Sequence, residues 1–202
     1  MAEKKKSQQP KGLRYQYARG LKVRKVFKSQ WGVLAGYLLA VSLWRWRWDW
    51  EILGWWLGGA VGWWLLVLDR WVWVYWTRPE TQLAHRVRWL VSQRRIKEAW
   101  EEILRRKEEQ DRLAFRSVLF QLAWLGLAFF AVTSTAGMFG KGVVMGVGLH
   151  LLYDEWKDYL KSAQLLRDWL FWPVKREVSL KETRFYLILM TVVFGLLSWV
   201  IR

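Results

Sequence analysis

The chain has 202 residues, of which 33 are Lys or Arg and 17 are Asp or Glu, giving a formal net charge of +16. It carries 19 tryptophans and no cysteine, so a disulfide framework and thiolate metal ligation are excluded and the redox compartment is not readable. The mean hydropathy of -0.03 averages long apolar runs against heavily charged connectors, a mixture that suits a small multi-spanning membrane protein.

Residues 1–30 form a basic arm with 10 Lys and Arg. It is too long and polar for an ordinary signal peptide, and no clear small-residue cleavage site follows the first apolar run, so that run is expected to be retained. The arm is expected to set topology and to attract anionic lipid headgroups. Nucleic acid is not the expected partner, because positive-inside bias alone accounts for the charge.

Residues 31–77 hold two expected transmembrane helices, Trp31 to Trp44 and Ile52 to Trp76. From Trp44 to Trp76 an aromatic cluster, an apolar run and a second aromatic cluster follow one another, and Trp and Tyr concentrate where hydrocarbon meets headgroups. A helix from Trp50 to Trp71 rises about 31 Å at roughly 1.5 Å per residue, close to the roughly 30 Å of a hydrocarbon core.

The connector over 78–116 reads as a cytoplasmic helical hairpin. Thr77 to Glu80, T-R-P-E, has capping-box spacing with an early proline. Leu83, Val87, Leu90 and Val91 mark one helix face, while Ile96, Ala99, Trp100, Ile103 and Leu104 mark another, with a turn at SQRR between them. The hairpin is expected to be a structural connector between spans, with a docking face for a protein partner as the alternative.

Residues 117–153 hold the third and fourth expected spans, Val118 to Ala136 and the short Gly142 to Tyr153. Over 154–184, Trp156, Tyr159, Leu160, Leu166, Trp169, Leu170 and Trp172 lie amid charges, the pattern of an amphipathic interfacial helix ended near Pro173. The alternative is that this segment continues the fourth helix. Ser179 to Glu182, S-L-K-E, has capping-box spacing ahead of the fifth span, Phe185 to Ile201, in the 185–202 unit.

The basic residues set the orientation. With the N-terminus inside, the connectors hold 10 Lys and Arg before Trp31, 11 from Arg78 to Arg116 and 7 from Lys157 to Arg184, so 28 of 33 are cytoplasmic. A re-entrant fourth segment would move the last of these groups outside. The expectation is therefore an all-α polytopic membrane helix bundle of five spans in the cell (cytoplasmic) membrane, N-terminus in and C-terminus out.

Gly54, Gly58 and Gly62 recur every four residues in the second span, as do Gly142 and Gly146 in the fourth, and this spacing permits close helix approach within the chain or in a homo-oligomer. The two series lead to ionisable groups: Asp69 and Arg70 in one, His150 and Asp154 in the other. Both spans run outside to inside, so these four residues should converge near the inner leaflet as a polar cluster, with Asp154 the preferred mate of Arg70; the alternative is that Asp69, Arg70 and Asp154 snorkel to water at the inner boundary.

Two short motifs, E-E-I-L-R-R from Glu101 to Arg106 and H-L-L-Y-D from His150 to Asp154, resemble the EExxxR and HxxxD motifs of the CAAX-type intramembrane proteases. That family's FxxxH element has no counterpart in this chain. The resemblance implies a metal-dependent membrane hydrolase, in which Asp69 or Asp154 would have to supplement His85 and His150 around a zinc ion. No Walker loop, nucleophile elbow or dinucleotide fingerprint occurs. The expected function is binding, scaffolding or assembly, with no catalytic residue, metal or cofactor. A small transporter or insertase-like role with a polar inner-leaflet groove is the second class, and the hydrolase is the third.

Overall fold

The computed structural model describes residues 30–46, 49–106, 109–110 and 113–201. The basic arm over 1–29 lies outside them. The described chain is all-α, without a strand. A helix over 30–45 (α1) is followed by α2 (Glu51–Val72), α3 (Gln82–Ser92), α4 (Ile96–Arg105), α5 (Val118–Thr133), α6 (Met138–Lys161), α7 (Ala163–Leu170) and α8 (Leu180–Val200).

Two of the described helices are long and apolar enough to cross a membrane, Glu51–Thr77 and Leu180–Val200, and Val118–Thr133 is a shorter apolar helix. α1, at 30–45, is shorter than a usual span, and α6 is too charged at its end to read as uniformly apolar. Length and composition therefore single out two crossings where the sequence pattern suggested five.

α2 ends in a π-helical turn, Trp73–Thr77, in which Arg78 N–H donates to Trp73 O at 2.9 Å. Pro79 then stops the helix, because a proline disfavours helical backbone in the residue before it, and Arg78 leaves the helical region at φ -139°. Thr77 is thus consumed by the π turn, and the cap expected there falls four residues later. Thr81 is the N-cap of α3, accepting from Ala84 N–H at 3.2 Å. α3 ends at Arg94, whose φ of 59° lets Arg94 N–H reach Val91 O and Arg95 N–H reach Leu90 O. This is the Schellman pattern, built without the usual glycine.

The α3–α4 hairpin has its own core, with Leu83, Ala84, Val87, Leu90, Ala99 and Ile103 packed on Trp73 and Val74. Its apolar stripes therefore meet each other and the end of α2. Farther along, Ser117 caps α5, Ser162 caps α7, and Ser179 with Glu182 forms the complete capping box of α8. The segment after residue 153 is divided: α6 continues to Lys161, then Ser162 turns extended and α7 starts separately. α7 turns Leu166 and Leu170 onto Val118 and Leu187, so its apolar side is covered by the protein.

The five longer helices alternate in direction. Trp31 meets Trp64 while Trp55 Nε1 donates to Leu38 O, so α1 and α2 are antiparallel. Gly54 approaches Phe139 and Trp63 stacks on His150, so α2 and α6 are parallel. Gln121 bonds Glu155 and Trp124 Nε1 donates to Val144 O, which makes α5 antiparallel to α6. Tyr37 bonds Ser198 and Trp44 packs on Trp199, so α8 runs with α1. Large apolar side chains cover the bundle's exterior, among them Leu57 and Leu68 on α2, Phe129 and Phe130 on α5, and Ile188, Val192 and Leu196 on α8.

Candidate functional site

The contact between α2 and α6 is backbone on backbone. A Cβ at Gly58 would stand 2.2 Å from Phe139 O, at Gly62 2.0 Å from Val143 O, at Gly142 2.6 Å from Trp55 O and at Gly146 2.3 Å from Gly59 O. No side chain fits at those distances, so only glycine permits this spacing. Gly54 is looser, at 3.3 Å from Phe139 N. Gly59, outside the two expected series, belongs to the same seam and also receives Leu38 from α1.

Beyond the seam lies a polar cluster at the hairpin end of the bundle. His150 stacks on the Trp63 ring at 4.3 Å between centroids, and its Nδ1 donates to Trp63 O at 2.8 Å, a carbonyl that can only accept. Nε2 then faces Asp154 Oδ2 at 3.5 Å. Asp69 reaches the short 3₁₀ turn Ala114–Arg116 and accepts from Phe115 N–H at 3.2 Å, clipping α2 to the entry of α5.

Asp154 forms an ion pair with Arg116, where the sequence pattern put Arg70. The 3₁₀ turn aims Arg116 into the bundle, while Arg70 lies within electrostatic reach of Asp154, Asp158 and Asp69 without an ion-pair contact among the described residues. A second chain of contacts runs beside the first: Tyr186 Oη donates to Gln121 Oε1 at 2.7 Å, and Gln121 Nε2 donates to Glu155 Oε1. Gln121 Nε2 also donates to Arg116 O at 3.3 Å, joining the two chains.

The structure thus brings Asp69, Arg70, His150 and Asp154 into one neighbourhood and adds Arg116, Gln121, Glu155, Asp158 and Tyr186. Gln121 had a legible signal, since a lone amide in the apolar run V-L-F-Q-L-A-W needs a partner. Arg116 had none, because it sits among connector charges. Asp69, Glu155 and Gln121 are fully buried, and Arg116, His150, Asp154 and Asp158 nearly so. Four carboxyl groups, Asp69, Asp154, Glu155 and Asp158, share this space with the guanidinium groups of Arg70 and Arg116. Glu155 Oε2 and Asp69 Oδ1 are buried without a hydrogen-bond partner among the described residues.

The protease-like motifs do not come together. Glu102 belongs to α4 and forms ion pairs with Arg86 and Arg105, whereas His150 is engaged with Trp63 and Asp154 in the bundle. Among the described residues no three His, Asp or Glu side chains are grouped so as to hold a metal ion. Comparison of the chain with protein-family models, with curated proteins and with solved structures returns no match.

Proposed function

We propose that this chain is a multi-pass membrane protein that acts by binding and assembly, a five-helix scaffold presenting its hairpin to a cytoplasmic partner. The observation that carries this reading is the buried, cross-linked polar cluster at the hairpin end of an otherwise apolar-surfaced bundle. Buried ionic groups that hydrogen-bond across three helices fix a register, and a fixed register is what a scaffold needs. The alternating helix directions and the basic residues of the hairpin side support five crossings with the N-terminus inside. α1, α5 and α6 would cross with flanking residues snorkelling or with local bilayer thinning.

The hairpin tip supports the partner side of the reading. Its stripes are used internally, yet Trp89 and Ile96 stay exposed near Arg94, Arg95 and Lys97. An exposed aromatic and an exposed aliphatic residue ringed by cations suit an acidic protein surface.

A transporter reading is favoured by one observation, the carboxyl atoms of Glu155 and Asp69 left without hydrogen-bond partners. Cysteine accessibility separates the two. Single cysteines at Leu66, Asp69, Val147 and Leu151 in the intact membrane protein should resist a water-soluble maleimide if the cluster is closed. Rapid labelling of this series from the cytoplasmic side would overturn the scaffold reading in favour of a water-filled groove.

A further inference from the structure

A second feature adjoins the cluster at Tyr186, between the 171–178 loop and the first turns of α8. A cavity of about 370 Å³ opens there, walled by Phe171, Val174, Val178, Phe185 and Leu189, with Arg176 and Glu182 at its edge. It is an open groove on the surface and not an enclosed pocket. Glu182 Oε1 holds the Arg176 guanidinium at 2.6 Å, fixing it at the mouth.

The surrounding charge is basic and exposed. Along the 175–184 stretch that carries the Arg176–Glu182 pair at the edge, the exposed Lys175, Arg176, Lys181 and Arg184 outnumber Glu177 and Glu182 by two. Apolar surface continues directly from this rim: Phe185 is 69% exposed, and Ile188, Leu189, Val192 and Leu196 follow along α8. An apolar cleft and an apolar helix face beside a net-basic stretch of chain are complementary to an amphiphile with an anionic head.

We propose that this groove binds one anionic phospholipid of the cytoplasmic leaflet, its phosphate at Arg176 within the net-basic 175–184 stretch and its acyl chain in the cleft along Phe185 and Leu189. This rests on the membrane reading above, because the rim must lie at headgroup level. The mixed composition of the site favours a lipid over a free phosphate, which would gain nothing from five apolar walls. Tyr186, on the cavity wall, is the same residue that donates to Gln121 in the buried cluster, so the lipid would pack against a member of that network.

The test is native mass spectrometry of the full chain in mixed micelles containing phosphatidylglycerol, phosphatidylcholine or inorganic phosphate. The wild-type protein should retain one phosphatidylglycerol in preference to phosphatidylcholine. The Arg176→Gln/Arg184→Gln double variant should bind it roughly tenfold or more weakly, since two cations of the basic stretch are removed. Val174→Trp, which fills the cleft and leaves the charge intact, should also lose the preference, while Lys97→Gln on the hairpin should keep it. Equal retention of the two lipids, unchanged binding in both cavity variants, or equally tight binding of inorganic phosphate would overturn the site. Carbonate extraction tests the underlying reading separately. Protein released to the soluble fraction overturns the membrane assignment, whereas membrane-retained protein without lipid preference overturns only the lipid site.

Discussion

At the scale of single residues, two glycines of the same type have opposite expected behaviour. Gly62 meets Val143 O so closely that an added Cβ must push α2 and α6 apart, so Gly62→Ala should destabilise by about 2 kcal/mol or more. Gly126 in α5 has nothing within 4 Å, and Gly126→Ala should be neutral or stabilising by up to about 1 kcal/mol through helix propensity. Unfolding titrations in mixed micelles read both, and equal effects would remove the close-packing argument. The Arg116–Asp154 pair is the other residue-scale test. Both side chains are nearly buried, so losing one removes a direct ion-pair partner of the other, at a cost of up to about 3–5 kcal/mol. Arg116→Leu with Asp154→Leu should lose much less than the sum of the single losses. A double-mutant cycle measures this, and additive losses would refute the coupling. The same cycle with Arg70→Leu should show weaker coupling, because Arg70 acts on Asp154 without contact.

Helix ends show how one proline moves a boundary. Thr77 and Thr81 are both followed, three residues later, by a position that a capping threonine can serve, and T-R-P-E looks like the better cap. Pro79 and the π turn that precedes it carry α2 through Thr77, so the free N-terminal amides appear only after Thr81. Thr81→Ala should therefore cost about 1 kcal/mol, and Thr77→Ala should stay within about 0.5 kcal/mol. Thermal unfolding of the two variants checks the assignment, and a larger loss at Thr77 would return the cap to the earlier site. The division of the segment after residue 153 has a related cause. Asp154, Glu155 and Asp158 are charged, which reads as a wet helix, but Arg116, Arg70 and Gln121 stand where those carboxyl groups project and keep α6 inside the bundle.

For the whole molecule, the directions of the helices put both ends of the hairpin, the 3₁₀ turn, α7 and the start of α8 at one end of the bundle, where most described basic residues also lie. The proposed topology follows from that coincidence. Reporter fusions after Glu108 and after Leu170 should both read cytoplasmic, and a fusion at Arg202 should read external. An external signal from the Leu170 fusion would mean that α6 fails to cross and would remove the five-span arrangement.

The helical class, the Ser179 capping box, the hairpin and the four-residue glycine spacing were all legible in the sequence, because each depends on residues within a turn or two of one another. The pairing of Arg116 with Asp154, the Tyr186–Gln121–Glu155 chain and the clip from Asp69 to Phe115 were not. Their members lie far apart in the chain, by 34 residues for Gln121–Glu155, 46 for Asp69–Phe115 and 65 for Tyr186–Gln121. Periodicity tells which face of a helix is apolar or small, and it is silent on which side chain of another helix arrives at the same height. That height is decided only when the glycine seam brings α2 and α6 into contact and the 3₁₀ turn swings Arg116 inward.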